Sequence, residues 1–124
     1  MKCSLGDLKW LAGLLEGEGC FTAISQGTGM RPKHPVILLT MSDKDVVQKA
    51  ARLLDGRKVS KMYTPTMKSR GAKPCWRAQV TCTRAVDWMK KLYPFMGKRR
   101  KTRIRQLVAM WKAAPEKRNA ILSR

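Results

Sequence analysis

The sequence predicts an α+β domain, with elements in the order α-β-β-α-β-β-α-α and a single four-stranded sheet. Three observations point there. The chain has 124 residues, enough for one domain, 1–124, with a real if modest core. Its apolar residues switch between the 3.6-residue period of amphipathic helices and the period of two that marks strands. Gly- and Pro-rich stretches punctuate these segments, with no internal repeat, low-complexity segment or domain linker among them.

Ser4 opens the first helix, and its Ser-x-x-Asp spacing to Asp7 forms a cap. Leu8, Leu11 and Leu15 follow at helical spacing until Gly17 and Gly19 stop the helix. Phe21 to Gln26 reads as a short strand and "QGTGMRPK" (26–33) as a loop. "HPVILLTM" (34–41) is apolar on both faces, as a buried strand is. Ser42 or Asp43 caps the second helix. There Val46, Val47, Ala50, Ala51 and Leu54 share a face, and Gly56 ends it. "KVSKMYT" (58–64) is the third strand, "PTMKSRGAKP" (65–74) a basic turn, and "CWRAQVTC" (75–82) the fourth strand. Along the fourth, Trp76, Ala78, Val80 and Cys82 face one way and Arg77, Gln79 and Thr81 the other. Ala85, Trp88, Met89 and Leu92 mark a third helix, broken by Pro94 and Gly97. The basic segment "GKRRKTRIR" (97–105) enters a last helix with Ile104, Leu107, Val108 and Trp111 on its apolar side, ended or kinked by Pro115. Trp10, Trp88 and Trp111 read as core anchors. The helices cover one face of the sheet. Nothing in the chain is left to cover the face with Arg77, Gln79 and Thr81.

Lys and Arg number 27 against 8 Asp and Glu, a formal charge of +19. Self-repulsion at that charge opposes compaction, so a polyanionic partner is expected. Nucleic acid comes first, an anionic membrane surface second. No apolar run reaches bilayer-spanning length, and no secretory signal opens the chain. The expected setting is intracellular (cytoplasm, organelle or phage-infected host), not secreted. Beyond Gly56 only Asp87 and Glu116 are acidic, so one half of the molecule carries most of the field. Cys3, Cys20, Cys75 and Cys82 form no C-x-x-C pair, and His34 is the sole histidine. That argues against a zinc site and for reduced thiols partly in the core.

The first helix also carries chemistry. Gly13 and Gly17 lie one turn apart on one face, and small residues at this spacing let another helix approach closely. Glu16 and Glu18 are separated by about 200° around the helix, so they serve different neighbours. Glu18 stands between two glycines, where the backbone lets a ligand come close. Residues 11–19, "LAGLLEGEG", resemble the signature of the LAGLIDADG homing endonucleases, with Glu at both acidic positions. The element order is similar to one unit of that family over essentially the whole chain. "LYPFMGKRR" resembles a segment that follows the third helix there.

The resemblance implies an α-β-β-α-β-β-α fold with a four-stranded antiparallel DNA-binding saddle, here with an extra C-terminal helix. It implies a homodimer of single-motif chains whose motif helices meet at a two-fold axis through Leu11, Gly13, Leu14 and Gly17. The saddle would sit in the major groove of double-stranded DNA at a long, pseudo-palindromic target. A divalent cation, Mg²⁺ or another such as Mn²⁺, would be held by Glu18 with Gly17, and both strands would be cut across the minor groove. Neither a membrane nor a small-molecule cofactor is implied. Without the motif, Glu18 would be an ordinary exposed helix-end glutamate. With it, one carboxylate per chain plus DNA phosphates suffices for a cation that keeps several waters. Two Glu18 carboxylates brought together would repel unless a cation bridged them.

Glu16 points elsewhere and reads as structural, at the helix end or the dimer seam. In the family a basic residue near "PFMGKRR" assists at the scissile phosphate. Lys98 or Arg99 matches it, with Lys98 preferred, against generic phosphate contacts by the whole 98–105 cluster, Arg100 included. Thr40, Ser42 or Asp43 matches the family's water-positioning residue. Among DNA-reading candidates, Arg77, Gln79 and Thr81 lead, because Arg pairs with guanine and Gln with adenine. Lys61 and Tyr63 join from the third strand, and Thr22, Ser25 and Gln26 from the first. Arg31, Lys33, Lys68, Arg70 and Lys73 lie in loops, where phosphate contacts are the rule. Each of these alone is equally a solvated side chain, and Tyr63 a half-buried core residue. Two rivals stand beside the enzyme. One is a non-catalytic binder on the same fold, an RNA-splicing maturase or a DNA-binding regulator. The other is a small basic RNA-binding protein, for which the paired aromatics of an RRM are missing.

Overall fold

Ser4 begins the fold as the sequence predicts: its side-chain oxygen accepts the Asp7 N–H at 3.1 Å. The computed structural model describes residues 3–25, 33–54, 60–62 and 75–113, of which 25 and 60–62 by their backbone alone. Among these residues the order is α1 (Leu5–Glu18), β1 (Gly19–Ser25), β2 (Lys33–Met41), α2 (Lys44–Leu53), β3 (Ser60–Met62), β4 (Cys75–Thr81), α3 (Cys82–Leu92), a 3-10 turn (Tyr93–Phe95) and α4 (Lys98–Ala113). No helix among them is long and apolar enough to cross a membrane.

The sheet order is β1-β2-β4-β3, with every neighbouring pair antiparallel. β1, β2 and β4 are long, and β3 is a three-residue strand at one edge. β2 is buried along most of its length, as its unbroken apolar run requires.

The helices pack on one face of this sheet. Phe21, Ile37, Leu39, Ala78 and Val80 meet Leu11 and Leu15 of α1, Val47 and Ala50 of α2, Trp88, Met89 and Leu92 of α3, and Ile104 and Leu107 of α4. Trp88 is fully buried, and its indole N–H donates to the Leu54 carbonyl at 3.1 Å. That bond satisfies a polar atom that would otherwise weaken the core. Trp111 is buried at 6 % exposure, but Trp10 is only half-buried at the rim, with the Lys49 ammonium 4.2 Å from its ring centroid.

Several boundaries differ from expectation. α1 does not stop at Gly17; it runs through Glu18, and the Gly19 N–H closes it on the Leu15 carbonyl. One helical glycine costs only about 1 kcal/mol, which a helix anchored by Leu11 and Leu15 tolerates. β1 accordingly starts at Gly19. β4 ends at Thr81, because Cys82 takes φ 58° and turns strand into helix without a loop. Burial pushes the Cys82 thiol pKa up, and a hydrogen bond with Thr81 pulls it partly back. α2 ends at Leu53; Gly56 lies outside the described residues. Leu11 is 0 % exposed in the core. It therefore cannot line a dimer seam, since the same side chain is already enclosed by its own chain.

Candidate active site

The motif helix ends where three kinds of residue meet. Gly13, Gly17 and Glu18 are exposed and Leu14 is half-buried. Among the described residues, a Cβ added at Gly13 or Gly17 would find nothing within 4 Å, so they leave this face of α1 open. Gly19 is the opposite case. A Cβ there would lie 2.7 Å from the Leu15 carbonyl oxygen, so only glycine lets the chain leave the helix at this point.

Glu16 and Glu18 are divided by the geometry. The Gly97 N–H donates to Glu16 Oε1 at 2.8 Å. Arg100 Nε lies 3.5 Å from Glu16 Oε2, and Arg100 Nη2 donates to the Glu16 carbonyl at 3.1 Å. Glu16 thus ties the end of α1 to the start of α4. A Cβ on Gly97 would meet the Glu16 carboxylate, the movable end of a side chain, and would displace it. Glu18 is left exposed, two residues from this link.

Both helix ends carry charge of the sign their dipole disfavours. The last turn of α1 has no basic residue and holds Glu16 and Glu18; the first turn of α4 has no acidic residue and opens Lys-Arg-Arg-Lys. The first arrangement draws a cation and the second a phosphate. Lys98 and Arg99 are exposed. Arg100 instead turns inward to Glu16, with its side chain 16 % exposed. Arg103 Nε donates to the Phe21 carbonyl at 3.2 Å, which fixes α4 to β1.

The sheet face away from the helices forms rows through strand register, since directly paired residues project to the same side. Thr40 pairs with Arg77, Leu38 with both Cys20 and Gln79, and Val36 with both Thr22 and Thr81. Cys20, Thr40 and Gln79 are exposed, and Thr22, Leu38, Arg77 and Thr81 are half-buried. Toward its far end Val36 and His34 are buried, at 0 % and 2 % exposure, while Ile24, the register partner of His34, is 37 % exposed. Among the described residues the face is therefore not uniformly open as expected. Burial also lowers the His34 pKa.

The register separates residues that were grouped. Ser60 is the partner of Arg77, whereas Lys61 pairs with Trp76, a position on the alternate side. Ser25 likewise falls on the strand parity opposite to Thr22, and it pairs with Lys33, exposed at the start of β2. Gln26, Arg31, Tyr63, Lys68, Arg70 and Lys73 lie outside the described residues. Sequence reasoning missed Cys20 and Leu38, which share the Gln79 row. Their signal was the strand parity, obscured by starting β1 at Phe21. Thr40, Ser42 and Asp43 are all exposed. Among the three, Thr40 stands on the open face, one register step beyond the Gly19–Leu39 pair, where Glu18 leaves α1. A cavity of about 420 Å³ lined by Lys90, Tyr93, Ile104, Arg105, Val108, Ala109 and Lys112 includes no α1 residue and no carboxylate. Among the described residues of one chain, no three His, Cys, Asp or Glu side chains gather as a metal cage.

No family model matches the chain, and no curated protein sequence matches it. Solved structures do. The homing endonuclease I-CvuI, in complex with the I-CreI target in the presence of 2 mM Mg, aligns with a TM-score of 0.69 at 14 % identity, covering 90 % of this chain and 69 % of that one. The group I intron-encoded homing endonuclease I-CeuI, complexed with DNA, aligns at 0.66 and 12 % identity, covering 94 % of this chain but only 58 % of its own. The homing endonuclease I-TnaI aligns at 0.56 and 16 % identity, covering 91 % and 77 %. These neighbours are LAGLIDADG homing endonucleases, and the chain has their α+β fold.

Proposed function

We propose that the protein is a site-specific, double-strand DNA endonuclease that works as a homodimer with a divalent metal, Mg²⁺ or Mn²⁺. One observation carries this reading. Glu18 is an exposed carboxylate at the end of α1, a helix whose Gly13 and Gly17 are open among the described residues and whose Glu16 is linked to the basic start of α4. The fold match, with neighbours solved in complex with DNA and in the presence of Mg or Ca, supports DNA as the partner.

The donors fit a hard cation. Glu18 offers carboxylate oxygens, and Gly17 lies in the last turn of α1, whose carbonyls have no partner within the helix. The described residues of one chain supply too few ligands for a closed cage, which suits an ion that keeps waters and takes phosphate oxygens. A second copy, packed on the Gly13 and Gly17 face, would bring a second Glu18. When bound, the metal would supply Lewis-acid polarisation of a phosphate and a more acidic water. The chain's own residues do the rest. Lys98 and Arg99 place positive charge where the phosphate becomes more negative. Thr40 offers a hydroxyl to orient water. Gln79 and Arg77 read base edges, with Thr22 and Thr81 beside them, and Cys20 and Leu38 offer apolar contact to a thymine methyl.

The test is cleavage of a library of long duplexes, with and without Mg²⁺, by wild type and Glu18→Gln. Discrete double-strand cuts should appear only with metal, and the variant should lose about a hundredfold or more in rate while still binding. Tight binding without cuts under any divalent metal would leave the non-catalytic binder as the better account.

A further inference from the structure

We propose that Glu16 is a positioning residue, which sets where the cationic start of α4 stands relative to Glu18. This rests on the nuclease reading above. Lys98 and Arg99 are exposed, and among the described residues neither side chain has an ion pair or hydrogen bond. Their position therefore comes from their backbone, and Glu16 is what joins that backbone to α1. It does so at both flanks of the pair. Gly97, just before Lys98, donates to Oε1 at 2.8 Å; Arg100, just after Arg99, meets both Oε2 at 3.5 Å and the Glu16 carbonyl at 3.1 Å.

The link is part-buried. Glu16 Oε2 and Arg100 Nε are shielded from solvent 3.5 Å apart, but the Glu16 side chain as a whole is 39 % exposed. Solvent therefore screens much of the charge attraction, and the oxygen that accepts the Gly97 N–H carries the joint. A Cβ on Gly97 would occupy the place of the carboxylate oxygen and push it aside. The link also lets the negative end of α1 face the positive end of α4. A cation fixed in this way lowers a barrier without reorganising during the reaction, and a misplacement of roughly 1 Å can cost about a hundredfold. The first acidic position of the motif thus serves the second through the opposite end of the chain.

The test uses the full chain with Glu16→Ala, Gly97→Ala and Glu16→Gln, assayed well below each variant's melting temperature. Ala at 16 deletes the link, and Ala at 97 pushes the carboxylate away without removing it. Gln keeps an oxygen for the Gly97 N–H. Glu16→Ala and Gly97→Ala should each lower kcat about tenfold to a hundredfold, with KM within about threefold of wild type. Glu16→Gln should recover kcat to within about threefold. Amide exchange at 97–101 should speed up in the two Ala variants and not in Gln. Lower melting temperatures with unchanged kcat in both Ala variants would overturn the proposal. If wild type binds duplex but cuts none, the nuclease reading fails by itself. The positioning of the cations is then read from the salt dependence of binding. Glu16→Ala should lose about one to two phosphate contacts from the slope, and an unchanged slope would overturn it.

Discussion

Along α1, Leu11 and Leu15 are fully buried, whereas Gly13 and Gly17, on the opposite side of the same helix, would find no atom within 4 Å of an added Cβ. Side-chain volume on the first side is dictated by this chain's own core. On the second side the absence of volume has no cause among the described residues, and a close neighbour from outside would supply one. Substitutions on the two sides should therefore differ in what they damage.

The largest change belongs to the closed side. Leu15→Ala should cost about 2–5 kcal/mol, read from the denaturant midpoint, because it opens a cavity in a packed core. Gly19→Ala, where the helix is left, comes next at about 1–3 kcal/mol, since its Cβ would meet the Leu15 backbone rather than a movable side chain. Gly13→Leu on the open side should invert the pattern. It should raise the stability of the isolated chain by about 0.5–1 kcal/mol, because glycine weakens a helix, yet abolish self-association in sedimentation. A variant that stayed dimeric with unchanged duplex binding would show that this face is no seam.

The smallest effect comes from the far end of the sheet face. Burial holds His34 below its ordinary value of 6.5, so the unfolded chain takes up the proton first as pH falls. Stability from neutral His34 is complete above pH 6.5 and declines as pH drops through that value toward the lower folded one. Melting temperature should fall slightly over that range in wild type, and the fall should flatten in His34→Gln.

These contrasts also show what a sequence can and cannot display. The leucine spacing and glycine run marked α1, and the alternation from Trp76 to Thr81 marked β4, because both are local periodicities. Leu11 was assigned to the seam by its place in the motif, although its phase with Leu15 puts it in the core. Lys61 was grouped with Tyr63 on the reading face, but register decides which side a strand residue takes, and a one-residue slip reverses it. Glu16's partner Gly97 is 81 positions away in sequence, so no local pattern reveals it. Arg100 looked like one more cation in a basic cluster for the same reason. The exposure of Glu18 was legible, but it was read as lying beyond the helix rather than as its last member.

The four adjacent cations that open α4 have a further consequence for handling the protein. Their mutual repulsion and their opposition to the helix dipole are present whenever no polyanion is bound. Added salt screens that repulsion and so raises the melting temperature of the free chain. If the protein binds DNA as proposed, the same salt would weaken that attachment. Thermal resistance and affinity would then respond to ionic strength in opposite directions, and a buffer chosen for shelf life would understate how firmly the protein holds its target.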